Sequence, residues 1–119
     1  MADFNFEELK VYQFALDVVD KVYDTTNSYP ESEKFGWTSQ FRRAAVSIPL
    51  NIAEGSGSTN KNFIRFLEIA QGSVRECVVR CSISKRRKYI SDELENELRD
   101  ELQVIAKMIS NLKKYLNKD

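Results

Sequence analysis

The sequence has no histidine, and its 119 residues include only two cysteines, two prolines and four glycines. A histidine-bearing metal site and a disulfide framework are therefore both excluded. Cys77 and Cys81 lie four residues apart in a predicted helix, where a free cysteine behaves as a small hydrophobe and packs in the core. The alternative, half of a metal site, would need a second cysteine pair that the sequence does not contain. We expect no metal ligands and no cofactor.

Long apolar runs are also missing. No run reaches transmembrane length, and the sequence shows neither a secretory leader nor a lipidation signal. These absences predict a cytoplasmic protein without membrane partners. The length suits one domain, spanning residues 1–119, with a substantial core.

Charge of one sign is not in excess, because 18 basic side chains balance 18 acidic ones. The distribution is uneven: residues 1–41 carry a net charge of −5, residues 42–88 carry +7, and the remainder carries −2. A basic middle segment is a weak indication of a polyanionic partner, although charge pairing within a bundle explains it equally well.

Apolar residues recur at steps of three and four, and no segment alternates with period two. This pattern predicts helices at about 7–27, 38–57 and 61–89 and a fourth helix capped by Ser91. The fold class is therefore all-α, an antiparallel up-and-down four-helix bundle. The first helix carries two apolar lines, of which the second suggests an additional buried contact. The first line is Leu9, Tyr12, Leu16, Val19 and Tyr23, and the second is Val11, Phe14, Val18 and Val22.

The second helix holds the most specific stretch, TSQFRRAAVSIPLNIAEGSG at 38–57. Thr38 is its predicted N-cap. Pro49 lacks an amide donor, so we predict that the helix is kinked at Pro49, with the bend near Ala45. The glycines from Gly55 onward predict its end. In the third helix, the pair Gly72-Ser73 predicts a close backbone crossing.

A polar row on the second helix faces a possible partner row on the third. Its structural interpretation is a seam of hydrogen bonds and ion pairs, within the protomer or across a subunit boundary, that fixes geometry more than it adds stability. One alternative is an anion site in which Arg42 or Arg43 holds a phosphate, and another is an acid–base site on Glu54. No nucleophile with an evident base accompanies Glu54, so we predict no catalytic residues and no enzyme. The seam residues are Arg43, Ser47, Asn51, Glu54, Arg75 and Glu76.

Lys85, Arg86, Arg87 and Lys88 form the strongest basic cluster. Cations complement the dipole in the last turn of a helix, and a solvated helix end is one interpretation. The other is a phosphate-binding stripe, to which Lys61 and Arg65 would contribute in an oligomer. Tyr89 is the only obvious nearby aromatic that could stack on a base. The candidate nucleic-acid-binding residues are Arg42, Arg43, Lys61, Arg65, Lys85, Arg86, Arg87 and Lys88.

The stretch Gln40 to Gly55, with the pattern Q-x-R-R-A-A-x-S-I-P-x-N-I-A-E-G, resembles proteins encoded in intervening sequences of 23S ribosomal RNA genes. The upstream Tyr29-Pro30 with Glu33, the segment from Phe66 to Glu76, and Tyr89-Ile90 are similar to the same family. The resemblance implies a four-helix bundle that assembles into homopentamers. Accessory proteins of diversity-generating retroelements are related to this family, and they bind nucleic acid and a reverse transcriptase.

Two functions follow as hypotheses. The first is a non-enzymatic homo-oligomer, a pentamer by resemblance, that binds RNA through its basic residues. The second is a homo-oligomeric scaffold for a protein partner, with no role in nucleic-acid binding. We also expect self-association from the surplus apolar line of the first helix and the polar row of the second.

Overall fold

The computed structural model describes residues 4–118. This part of the chain forms four α-helices and two short 3₁₀ turns, and it contains no strand. The prediction of an all-α fold is confirmed. None of the helices in this range is long and apolar enough to cross a membrane. The helices are α1 (Lys10–Thr26), α2 (Trp37–Ser56), α3 (Asn60–Arg86) and α4 (Asp92–Leu116), and the turns are Asn5–Glu8 and Glu31–Glu33.

Each helix packs against its neighbours in sequence, and α1 also packs against α4, which closes the bundle. Contacts between α2 and α3 show their opposite directions: Trp37 reaches Ser84, Ser47 reaches Ser73, and Gly55 lies against Phe66. The bundle is therefore antiparallel and measures 47 × 24 × 19 Å. We call the end formed by the links 27–36 and 87–91 the distal end. The proximal end holds the starts of α1 and α3 and the last turn of α4.

The predicted apolar lines of α2, α3 and α4 form the core. Phe41, Ile48, Leu67, Leu102 and Ile105 are among its fully buried side chains. Cys77 and Cys81 are free thiols, fully buried in the same core, as predicted. Burial raises the pKa of each thiol to about 12. Both cysteines therefore act as packing residues that stay protonated at neutral pH.

The two apolar lines of α1 differ from the expectation. The second line supplies most of the core contact through Val11, Val18 and Val22, whereas Leu16 and Tyr23 of the first line are exposed. Ala15 points directly into the core and is fully buried, which brings α1 close to its neighbours. The sequence predicts a short arm at residues 1–6, with Phe4 and Phe6 able to pack against the body, and residues 1–3 of this arm lie outside the described residues. The ring of Phe6 packs edge-on against Tyr12 at 5.1 Å.

The start of α2 corrects a prediction. Thr38 is not the N-cap but a buried residue inside the helix, which begins at Trp37 after Gly36. The indole Nε1 of Trp37 donates a 3.0 Å hydrogen bond to Ser84 Oγ on α3. This contact with α3 holds Trp37 in the first helical turn. The predicted Ser91 cap of α4 is confirmed, because its hydroxyl accepts a 3.1 Å hydrogen bond from the amide of Leu94.

The glycines also differ from the expectation. Gly55 lies inside α2, not after it, and a methyl group there would meet Phe66 Cβ at 2.7 Å. The sequence predicts a close crossing at Gly72, but outside its own helical turns no described atom lies within 4 Å of the position of its missing methyl group. The close approach of α2 and α3 therefore occurs at Gly55. Pro49 is buried within a continuous α2, and its kink stays a prediction.

Candidate nucleic-acid interface

The predicted cations fall at opposite ends of the bundle. Lys85 to Lys88 end α3 at the distal end, and Arg42 and Arg43 lie in the second turn of α2 at that same end. Lys61 and Arg65 lie in the first turns of α3, at the proximal end. The rise of a helix separates Lys61 from Lys85 by ~36 Å. The structure therefore groups six of the eight candidates and leaves two apart.

The basic turn, Lys85 to Lys88, is exposed and has a defined backbone. The amide of Tyr89 donates to the carbonyl of Ser84 at 2.8 Å, and the amide of Lys88 donates to that of Lys85 at 2.9 Å. These two bonds form a Schellman motif, which normally places glycine where Lys88 has a φ of 65°. Lys85 lies 3.8 Å from Asp92 and 3.9 Å from Glu95. Arg86, Arg87 and Lys88 make no ion pair with any residue between 4 and 118.

Arg42 is held within the bundle. Its Nε donates to Thr26 Oγ1 at 2.8 Å, and its Nη2 donates to Asn27 Oδ1 at 3.1 Å. The guanidinium carbon also lies 4.5 Å from the centroid of the Tyr23 ring. These contacts join α2 to the end of α1, so Arg42 has a structural role while its positive charge remains at the surface.

A groove of about 660 Å³ opens beside Arg42. We call it the Phe35 groove. Within residues 4–118 its lining contains three cations and no carboxylate. The lining itself is therefore positively charged, with the nearby Glu31 carboxylate 3.9 Å from the Lys34 ammonium. The lining residues are Tyr23, Lys34, Phe35, Ser39, Arg42, Arg43, Val46, Ser47 and Leu50.

Phe35 is the most exposed large hydrophobic residue of the groove, with 90% of its surface open to solvent. The ammonium of Lys34 lies 5.6 Å from its ring centroid. Tyr89, the aromatic that the sequence suggested for stacking, is instead half-buried. Its ring packs 5.0 Å from Tyr29, and its hydroxyl donates to Glu33 Oε2 at 2.8 Å. The available aromatic at the distal end is therefore Phe35.

Within one subunit, the described part of the polar seam consists of three hydrogen-bonded residues. Asn51 Nδ2 donates to the carbonyl and to the hydroxyl of Ser47 at 2.8 and 3.0 Å, and Ser73 Oγ donates to Ser47 Oγ at 2.8 Å. Arg43, Glu54 and Arg75 are exposed, and none has a hydrogen bond or ion pair within the described range. Glu76 does not reach α2 but accepts from Arg80 Nε at 2.8 Å. The structure thus joins Ser47 and Asn51 to Ser73, a residue outside the predicted set.

The proximal end holds cations that sequence reasoning did not group together. Lys61 and Arg65 line an open groove with the end of α4, and Lys113 and Lys114 line the neighbouring one. Lys113 Nζ lies 3.3 Å from Glu68 and donates to Gln71 Oε1 at 3.1 Å. About fifty residues of sequence separate these lysines from Lys61. Their proximity follows only from the return of α4 along α3.

The motif Tyr29-Pro30 with Glu33 has a clear structural role at the distal end. Tyr29 is buried against Tyr89, which itself binds Glu33, so the link before α2 is fastened to the link after α3. Burial raises the pKa of Tyr29 to about 12. The groove and the basic turn are therefore parts of one packed end of the molecule.

Comparisons with known proteins agree with this architecture. A protein of unknown function from the S23 ribosomal protein family of Bacteroides thetaiotaomicron VPI-5482 has a solved structure with a TM-score of 0.79 to this chain. Its sequence is 23% identical, and the match covers 87% of this chain and 95% of that one. No curated protein matches significantly. The family model described as 23S rRNA-intervening sequence protein matches residues 7–111, and the chain therefore belongs to that family.

Proposed function

We propose that this chain is a non-enzymatic, homo-oligomeric bundle that binds RNA through the cations of its distal end. One observation carries the proposal: Arg86, Arg87 and Lys88 are exposed on a rigid turn and meet no carboxylate between residues 4 and 118. What distinguishes these cations is that they are adjacent in sequence and all exposed at one helix end. Three adjacent unpaired cations suit a phosphate backbone.

Self-association would strengthen RNA binding, because each additional copy of the chain contributes another basic turn. The outer face of α3 supports it, because Ile69, Gly72, Val79 and Ile83 lie on one exposed side of the helix, where Arg75 and Glu76 separate the first two from the last two. Such a seam is typical of a contact with another helix. Five copies is the number that the family resemblance implies, and a ring of five would carry five basic turns.

The test compares two variants of equal charge. The distal variant replaces Lys85, Arg86, Arg87 and Lys88 with alanine. The control replaces Lys10, Lys107, Lys114 and Lys118, four exposed lysines that lie away from the distal end. Fluorescence anisotropy with a labelled structured RNA, measured over a range of salt concentrations, reports the affinity and its salt dependence.

We expect the distal variant to lose affinity and to flatten the plot of log K against log salt. Each phosphate contact contributes ~0.7 to 0.9 to the slope of that plot. The control should retain most of the affinity and slope. If both variants lose the same amount of RNA affinity, binding is a general electrostatic attraction without a defined site. If the unaltered protein does not bind RNA, the proposal is refuted.

The exposed apolar seam of α3 favours a second candidate, a scaffold for another protein. This candidate predicts that Ile69→Asp and Val79→Asp abolish a protein complex while the oligomer of the isolated protein persists. In the first candidate the same substitutions would dissociate the oligomer. Sedimentation velocity of the purified variants separates the two.

A further inference from the structure

We infer that the Phe35 groove binds one unpaired nucleotide of an RNA strand, with the base stacked on Phe35 and the phosphate held by Lys34 and Arg43. This inference rests on the proposed RNA-binding function and specifies the form of RNA that the distal end takes. It predicts a preference for single strands over duplexes.

The exposure of Phe35 is the first argument. A phenylalanine ring that is 90% exposed contributes little to folding, because it removes almost no apolar surface from water. The neighbouring rings differ: Trp37 bonds to Ser84, and Tyr89 packs on Tyr29. Phe35 therefore presents a ring face that no described residue occupies except the ammonium of Lys34 at 5.6 Å. Aromatic faces of this kind stack on bases of any sequence.

The charge of the groove is the second argument. Lys34, Arg42 and Arg43 line it, and the described lining contains no carboxylate. Lys34 has only a long contact of 3.9 Å with the exposed Glu31. Arg42 is fixed by Thr26 and Asn27, so it supplies a constant positive charge and not a flexible ligand. Arg43 is exposed and unpaired within residues 4–118, and its guanidinium has the geometry to bind a phosphate with two hydrogen bonds.

The position of the groove is the third argument. Glu33 lies two residues before Phe35 and accepts the hydrogen bond from Tyr89, which directly follows the basic turn. The groove and the turn are thus held at one end of the bundle. A strand whose phosphates follow the basic turn would reach the groove without a change of fold.

The combination of ring and charge favours an unpaired nucleotide over the other occupants. In a duplex the base faces are covered by their neighbours, so Phe35 would have no face to stack on. A second copy of this chain could instead bring the acidic α1–α4 surface around Asp17 and Glu101, where Phe14 is 45% exposed, and the sedimentation measurement described below tests for that occupant. The volume of about 660 Å³ is in the range of small-ligand sites.

The experiment uses the full chain and two labelled probes of the same sequence, a 12-nucleotide single strand and its duplex. We expect Phe35→Ala to weaken single-strand binding about tenfold, within the range found for loss of one base–aromatic stack. Duplex affinity should stay unchanged. Phe35→Trp should retain single-strand affinity, and Arg43→Ala should lower both the affinity and the salt slope. Tyr115→Ala is the matched control, because Tyr115 is 69% exposed at the opposite end of the bundle.

Cross-linking of a 4-thiouridine single strand gives a readout that a structural role would not change. Trypsin releases residues 35–42 as one peptide, and we expect the cross-linked base on Phe35 within it. Three results would overturn the inference. Single-strand binding that Phe35→Ala leaves intact, while alanine at the basic turn abolishes it, would refute the groove and leave the RNA function standing. No binding of either probe by the unaltered protein would refute both. A change of sedimenting mass in Phe35→Ala would assign the groove to a second copy.

Discussion

A methyl group on Gly55 of α2 would lie 2.7 Å from the Cβ atom of Phe66 on α3, closer than two such atoms approach in folded proteins. A methyl group on Gly72 would meet no described atom within 4 Å outside its own helical turns. The two glycines therefore have opposite roles. Gly55 permits contact between helices of the subunit, and Gly72 makes no such contact within it.

Gly55→Ala should destabilise the protein by about 1–3 kcal/mol, because α2 must move away from Phe63 and Phe66. Gly72→Ala should stabilise it by ~1 kcal/mol, the difference in helix propensity. Urea denaturation of the two variants beside the unaltered protein measures both effects. If Gly72→Ala instead abolishes self-association while the subunit stays folded, a partner helix approaches α3 at Gly72.

Lys88→Gly should raise stability and lower RNA affinity together. Lys88 occupies the left-handed region with a φ of 65°, which costs a side-chain-bearing residue ~1 kcal/mol and costs glycine little. We expect the variant to be about 1 kcal/mol more stable, while the loss of one cation weakens RNA binding and its salt dependence. Lys114→Gly, inside α4, is the control and should lose stability. An unchanged RNA affinity in Lys88→Gly would exclude Lys88 from the interface.

Tyr89→Phe tests the connection across the distal end. The substitution removes the 2.8 Å hydrogen bond to the Glu33 carboxylate and keeps the ring against Tyr29. Hydrogen bonds to charged groups contribute about 1.5–3 kcal/mol, and the partial exposure of this one places it near the lower value. Glu33→Gln and the double variant complete a cycle in which the coupling should be close to 1 kcal/mol. If the losses of stability in the two single variants simply add up in the double variant, the hydrogen bond does not hold the two links together.

Stability should fall in alkaline solution above pH 9. Burial raises the pKa of Cys77 and Cys81 from about 9 to about 12, so the folded state keeps these protons after the unfolded state has lost them. The contribution of the two protonated thiols to the free energy of unfolding is fully present below pH 9. It is lost as the pH rises toward 12, by at most ~1.4 kcal/mol per pH unit for each thiol.

The variant Cys77→Ala/Cys81→Ala separates the thiols from Tyr29, whose pKa burial also raises to about 12. The stability of this variant should begin to fall only above pH 10, where the tyrosine of the unfolded chain ionises. Urea midpoints measured between pH 8 and pH 11 follow both proteins. Identical pH profiles would show that the thiols do not control alkaline unfolding.

Helix positions and core lines were readable from the sequence because periodicity and capping are local signals. Ser91, for example, begins α4 through its own hydroxyl, and Cys77 and Cys81 continue a buried line. The sequence predicts the close crossing at Gly72, whereas the structure places it at Gly55. A glycine looks the same in sequence whether a neighbouring helix or solvent lies opposite, and only the bundle decides which.

The candidate site was predictable only in part. The basic turn is contiguous in sequence and was identified directly. Phe35 was missed because it lies in a link, where periodicity gives no information about exposure, and Tyr89 was preferred because it adjoins the cluster. Its packing against Tyr29 depends on a residue sixty positions earlier, which no local pattern reveals.

The length of the bundle sets a limit on what can touch both of its basic ends. Lys61 and the basic turn lie near opposite ends of a body 47 Å long. An RNA that contacts both ends must span the ~36 Å of helix rise between Lys61 and Lys85. An RNA fragment that is too short for this span contacts one end only. Fragments shorter and longer than the span should therefore differ in the number of protein molecules that each one binds.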